Sequence, residues 1–133
     1  MWLAFGSNPF NALVPFYANI STTPEYLANT TAQVTTDSFY WTNRLIAGLA
    51  DPHFGACTPH IERYQMAVGA KGRAIIAATD AQLARDANGA EDMLEAANQA
   101  IADMLRTETD KLLDHVLFEA SMRMRNGFSR SDG

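Results

Sequence analysis

Met1-Trp2-Leu3-Ala4-Phe5-Gly6 and Ala12-Leu13-Val14-Pro15-Phe16-Tyr17 are the two stretches that decide the fold. Each is a short apolar run, the pattern of a buried strand rather than of a long helix. Ser7-Asn8-Pro9-Phe10-Asn11 separates them and carries the residue types that turns prefer. The pair therefore reads as an antiparallel hairpin. Pro15 has no N–H to give a ladder, so the second strand is expected at a sheet edge or bulged there. A two-stranded hairpin is marginal in water, and its open edges invite association. The chain is accordingly expected to be the C-terminal piece of a larger protein, with the chemistry residing in another part.

Working outward, Ser21 to Thr36 is rich in Thr and Asn and reads as a loop that Tyr26 and Leu27 can pin to the body. A first helix is expected from Ser38 to Ala50, with Asp37 as its N-cap and Pro52 as its terminator. Thr58-Pro59 looks like a cap followed by proline at the first helical position. A second helix should then run from Pro59 to Ala84. Gly69 and Gly72, among Ala67, Ala70 and Ala74, suggest close approach of another element. Asn88, with Glu91 three residues on, resembles a capping box and opens a third helix, from Ala90 to Asn126, ended by Gly127. Leu94, Ala97, Ile101, Met104, Leu105, Leu112, Val116, Leu117 and Ala120 recur on one face of it. The expected architecture is α+β: an N-terminal β-hairpin followed by three helices, the last two a long antiparallel helical hairpin. All of residues 1–133 belong to a single partial domain, with strands over 1–20, a loop over 21–36 and helices over 37–133.

Composition narrows the function classes. The chain has 133 residues, 47% of them hydrophobic and 19% charged, which is a globular composition. Ten basic and fifteen acidic residues leave a net charge of −5, the wrong sign for a nucleic-acid surface. No stretch of roughly 18 apolar residues occurs, so no membrane span is expected. Cys57 is the sole cysteine, which rules out an internal disulfide and fits a reducing, cytoplasmic setting.

Several residue groups carry possible chemistry. His53, Cys57 and His60 form H-x3-C-x2-H, a zinc-type ligand set. A structural site needs a fourth ligand, however, and His115 lies far along another helix. The two prolines make the segment a connector, so no metal is expected. Cys57 with His60 could pair as nucleophile and base, but nothing nearby in sequence orients the base or supplies an oxyanion hole. Glu91, Asp92, Glu95, Asp103, Glu108, Asp110 and Asp114 alternate with Arg106 and Lys111 and read as a solvated helix face. Met93, Met104, Met122 and Met124 read as packing filler. Phe39-Tyr40-Trp41 should anchor the first helix in the core. Asn43 and Arg44 either tie that helix to a loop or reach a substrate cleft. Asn8 and Asn11 suit a turn, and they are also the candidates for holding a peptide backbone.

Trp2-Leu3-Ala4-Phe5-Gly6-Ser7-Asn8-Pro9-Phe10-Asn11-Ala12-Leu13-Val14-Pro15-Phe16-Tyr17 resembles a strand pair of bacterial cysteine dipeptidases, the N-terminal-nucleophile hydrolases related to the secernins. Pro24-Glu25-Tyr26-Leu27-Ala28-Asn29-Thr30, Phe39-Tyr40-Trp41-Thr42-Asn43-Arg44-Leu45-Ile46, Ile61-Glu62-Arg63-Tyr64-Gln65 and Phe128-Ser129-Arg130-Ser131-Asp132 resemble that family too. The resemblance implies an αββα fold and an enzyme that cleaves dipeptides with neither metal nor cofactor. It implies a cysteine nucleophile at the mature N-terminus, with its own α-amino group as base. Here Met1 and Trp2 open the sequence and Cys57 lies mid-chain, so no catalytic residue carries over. The chain reads as the C-terminal structural part of such a dipeptidase, inactive without the N-terminal catalytic part. Its expected partners are that missing part, the dipeptide substrates of the intact enzyme and further copies in a homo-oligomer. The alternative is a small helical self-association or interaction module with no catalysis.

Overall fold

The computed structural model describes residues 2–3, 12–18, 23–30 and 32–124. Trp2–Leu3 (β1) and Val14–Pro15 (β2) pair antiparallel, with Trp2 opposite Pro15 and Leu3 opposite Val14. The elements described after them are helical: Glu25–Ala28 (α1), Phe39–Ala50 (α2), Phe54–Arg85 (α3) and Ala90–Arg123 (α4), with a 3-10 turn over Asp51–His53. The described residues are thus mostly helical with one short sheet. The expected 21–36 loop holds the extra helical turn α1, and Tyr26 and Leu27 within it are buried.

The helical hairpin dominates. At 1.5 Å per residue, α3 and α4 are each about 50 Å long. Their seam buries Ile61, Tyr64 and Val68 of α3 against Ile101, Leu105, Leu112 and Val116 of α4. The Tyr64 hydroxyl meets Thr109 Oγ1 across it at 3.1 Å. Leu117, expected on this stripe, instead points outward, while Asn98, Ala102, Glu108 and Thr109 are buried with it. α2 packs on α4 and contributes Phe39, Ile46 and Ala50 to the same core.

Several helix ends differ from those read in the sequence. Ser38, not Asp37, caps α2: its Oγ accepts from Trp41 N at 3.4 Å and donates to the Asn29 carbonyl oxygen. Asp37 pairs instead with Arg106 of α4. Pro52 does end α2, but the chain tightens into the 3-10 turn and re-enters a helix at Phe54. Pro59 therefore lies inside α3. It deprives only the Gly55 carbonyl of its bond, and Gly55 is exposed to water. Thr58 is no cap; its hydroxyl donates back to the Phe54 carbonyl oxygen at 2.7 Å. Gly89 rather than Asn88 precedes α4, in a left-handed conformation with φ 72° that glycine adopts without strain. α4 ends at Arg123; the expected end at Asn126 and Gly127 lies outside the described residues.

The short sheet survives because the helices hold it. Val14 and Phe16 are buried in the helical core. The Asn98 side chain, 1% exposed, accepts from Tyr17 N at 2.9 Å and donates to Tyr17 O at 2.9 Å. The amide thus does what a neighbouring strand would do. On the α3 side, the Tyr17 hydroxyl donates to Asp80 Oδ1 at 2.6 Å and lies 3.2 Å from Ile76 O. Burial and then the Asp80 bond push the Tyr17 phenol up to about 12, so it stays a donor at neutral pH. The close approach expected of the small residues occurs at Gly72, where a Cβ would stand 2.7 Å from Pro15 Cδ.

Two stability measurements follow from this docking. Gly72→Ala would gain about 1 kcal/mol in an ordinary helix. Here two rigid groups collide, so urea unfolding should show a loss of about 1–3 kcal/mol. Asn98→Ala strands two backbone groups of Tyr17 and should cost about 2 kcal/mol or more in the same experiment.

Candidate functional site

Asn8 and Asn11, the substrate-contact candidates, lie outside the described residues. The surface flanking their segment is described. Trp2, Ala12, Leu13, Gln65, Gly69 and Arg73 line an open hollow beside the sheet, about 640 Å³ in volume. Arg73 stands over the Trp2 ring, 5.9 Å from its centroid, a cation–π arrangement. This hollow combines an apolar wall with one guanidinium.

Cys57 offers no such chemistry. It has no exposed surface, and burial, with Glu119 adding to it, pushes its thiol above the ordinary value. A nucleophile needs the thiolate, so Cys57 is a core residue. Among the described residues no group of three or more His, Cys, Asp or Glu side chains is arranged to hold a metal ion. His53 sits in the 3-10 turn.

The cluster around His60 is a correction to the sequence reading. His115 is far from His60 along the chain, yet the two rings meet edge to face with centroids 4.7 Å apart. They lie equally far from the midpoint of the Asp86–Gly89 turn, so an antiparallel pair brings them level. Their Nδ1 atoms are 3.1 Å apart. Arg63 Nη2 is 2.9 Å from His60 Nδ1, and a guanidinium can only donate. In its neutral form His60 therefore accepts at Nδ1 and donates from Nε2 to Glu119 Oε1, 3.2 Å away. The His60 bond, and then Arg123 at 2.5 Å, hold Glu119 below the usual carboxylate range.

The carboxylates expected on a solvated face also divide. Glu91, Asp92, Asp103 and Asp114 are exposed. Glu108 is buried at 8% exposure. Burial opposes its ionisation, but Lys71, and then Lys111 at 3.4 Å, outweigh that and hold it below its ordinary value. Asp110 is raised by burial and by Asp114 and Asp37, against the pull of Arg106. On α2 only Phe39 of the aromatic triplet anchors the core, since Tyr40 is 40% exposed. Arg44 lies over the rings of Tyr40 and Trp41, at 5.5 and 6.0 Å, and neighbouring Asn43 is buried. Asn98 was missed, although it stands four residues after Leu94 and three before Ile101, on the apolar stripe itself. A polar amide at such a position signals a buried hydrogen-bonding duty. No helix among the described residues is long and apolar enough to cross a membrane.

Comparison with known proteins adds what the geometry alone does not carry. The profile of peptidase family C69 matches residues 1–67. A dipeptidase of Bifidobacterium longum (strain NCC 2705) is 42% identical, over 98% of this chain and 32% of its own length. The probable dipeptidase A of Streptococcus pyogenes serotype M3 (strain SSI-1) is 47% identical, over 98% of this chain and 28% of its own. Dipeptidase A of Lactobacillus helveticus is 34% identical over 89% of the chain and 25% of itself. The chain thus spans about a third or less of the length of the curated relatives it matches.

One chemical test applies to the cysteine. Iodoacetamide should leave Cys57 unmodified in the folded chain and label it fully in urea, as read by intact mass. Rapid labelling without denaturant would mean that the thiol is accessible and ionised, contrary to its burial.

Proposed function

The chain belongs to peptidase family C69, and from that premise we propose that it supplies the C-terminal portion of an enzyme that hydrolyses dipeptides. The observation that carries this reading is identity of 42–47% to dipeptidases over 98% of the chain. Cys57 is buried and its thiol is raised, which supports a nucleophile located in another part of the enzyme. The portion's role is architectural: β1 and β2 extend a catalytic sheet of N-terminal-nucleophile type, and α3 with α4 braces it from one side. Its principal partner is the rest of the same enzyme, which works in the cytoplasm as a homo-oligomer. Asn8 and Asn11 hold the backbone of the bound dipeptide.

A chimera tests this. The matching segment of the Streptococcus pyogenes probable dipeptidase A is replaced by this chain. Hydrolysis of a simple dipeptide should be retained in the chimera and absent from the chain alone. Asn8→Ala and Asn11→Ala in the chimera should raise KM by about tenfold, the loss of one good hydrogen bond. A folded but inactive chimera would overturn the proposal. So would hydrolysis by the isolated chain that Cys57→Ser abolishes, and an unchanged KM would remove the two asparagines from the site.

A further inference from the structure

A second recess lies between α3 and α4, well apart from the sheet. It is about 170 Å³ in volume, and His60, Arg63, Tyr64, Lys111, Leu112 and His115 are among the residues that line it. Its charge runs against the character of the chain, which carries −5 overall. Arg63 and Lys111 both face it, and its one carboxylate, Glu108, is bonded to Lys71 from one side and to Lys111 from the other. Two ammonium groups thus share a single acceptor. Arg63 is exposed and uses one of its five N–H groups on His60 Nδ1. Among the described residues it forms no ion pair with a carboxylate. Tyr64 and Leu112 are buried and give the recess an apolar floor.

We propose that this recess is a binding site for a small oxyanion, held by Arg63 and Lys111. A guanidinium grips two oxygens of a carboxylate or a phosphate at once, while an ammonium contributes a point charge. The two stand on facing helices, so an anion between them bridges α3 and α4. The low dielectric of the Tyr64–Leu112 floor strengthens both attractions relative to open water. The volume admits inorganic phosphate or the carboxylate end of an amino acid. The chemistry is shared by those two sources, and the proposal stands apart from the hydrolytic reading because it needs no substrate turnover.

The test uses the 133-residue chain with inorganic phosphate, and in a parallel arm acetate, at ionic strength balanced by sodium chloride. Imidazole proton resonances of His60 and His115 report occupancy, and the thermal midpoint by circular dichroism reports the bridge between helices. Saturable shifts and a rising midpoint with either anion support the site, and the arm that saturates identifies phosphate or carboxylate as its ligand. The double variant Arg63→Gln/Lys111→Gln removes two exposed charges. It gives up the Lys111 contact to Glu108, so its anion-free midpoint should fall somewhat; the variant should remain folded, lose the anion-dependent rise and bind at least about tenfold more weakly. Shifts that grow linearly without saturation, or equal shifts in the double variant, would overturn the proposal. Imidazole signals of an unfolded peptide with and without anion would overturn it as well, since the recess would then not exist in the chain.

Discussion

The bond pair between the Asn98 amide and the backbone of Tyr17 is the constraint on which the arrangement of this chain depends. Two residues of ladder on each side do not make a stable sheet in water. The strand segment holds its place because α4 presents an amide at 2.9 Å to both its N–H and its C=O. With the backbone fixed there, Val14 and Phe16 enter the core of the hairpin, and Pro15 lies flat on Gly72. The Tyr17 hydroxyl then reaches Asp80 on the opposite helix. One extended segment is stitched to both long helices at successive residues.

This arrangement also explains the composition of the helical hairpin. A glycine in mid-helix costs about 1 kcal/mol relative to alanine, and Gly72 bears that cost where proline must approach. An asparagine buried on an apolar stripe is costly unless both ends of its amide are used, and Asn98 uses both on one residue. Lys71 and Glu108 are a further departure from an apolar seam, with Glu108 taking two ammonium groups at the seam's edge. Polar groups enter the seam where a second element or a recess calls for them. Apart from Tyr64 and Cys57, the rest of the seam is Ile, Leu, Val and Ala.

The helical hairpin was legible from the sequence because its apolar stripe recurs over many turns, and propensity errors average out over that length. The β-hairpin was legible for the opposite reason: two short apolar runs flank a dense group of turn residues. Helix ends were less legible, since they rest on one or two residues. Ser38 and Asp37 are both good caps, and tertiary contacts separate them: Asp37 pairs with Arg106 on α4, and Ser38 Oγ donates to the Asn29 carbonyl oxygen. The start of α3 at Phe54 has no side-chain cap, so Thr58-Pro59 gave the stronger local signal. The turn before α4 relies on the backbone of Gly89 rather than on a side chain. The extra turn α1 is four residues long, too short to carry a period.

Of the candidate sites, those defined by a partner on another helix were hidden at first sight, but the information was present. Once a turn is placed at Asp86–Gly89, each residue of α3 faces the one equally distant on α4. His60 then meets His115, Tyr64 falls near Thr109, and Lys71 near Glu108. The spacing H-x3-C-x2-H drew attention to neighbours along the chain. Helical geometry divides them: Cys57 turns into the core while His60 faces the opposite helix. A buried thiol and a cation-lined recess therefore arise from one stretch of α3, and only the recess presents charge to solvent. The cysteine's chemistry is suppressed by the same packing that holds Arg63 and Lys111 on either side of an open groove.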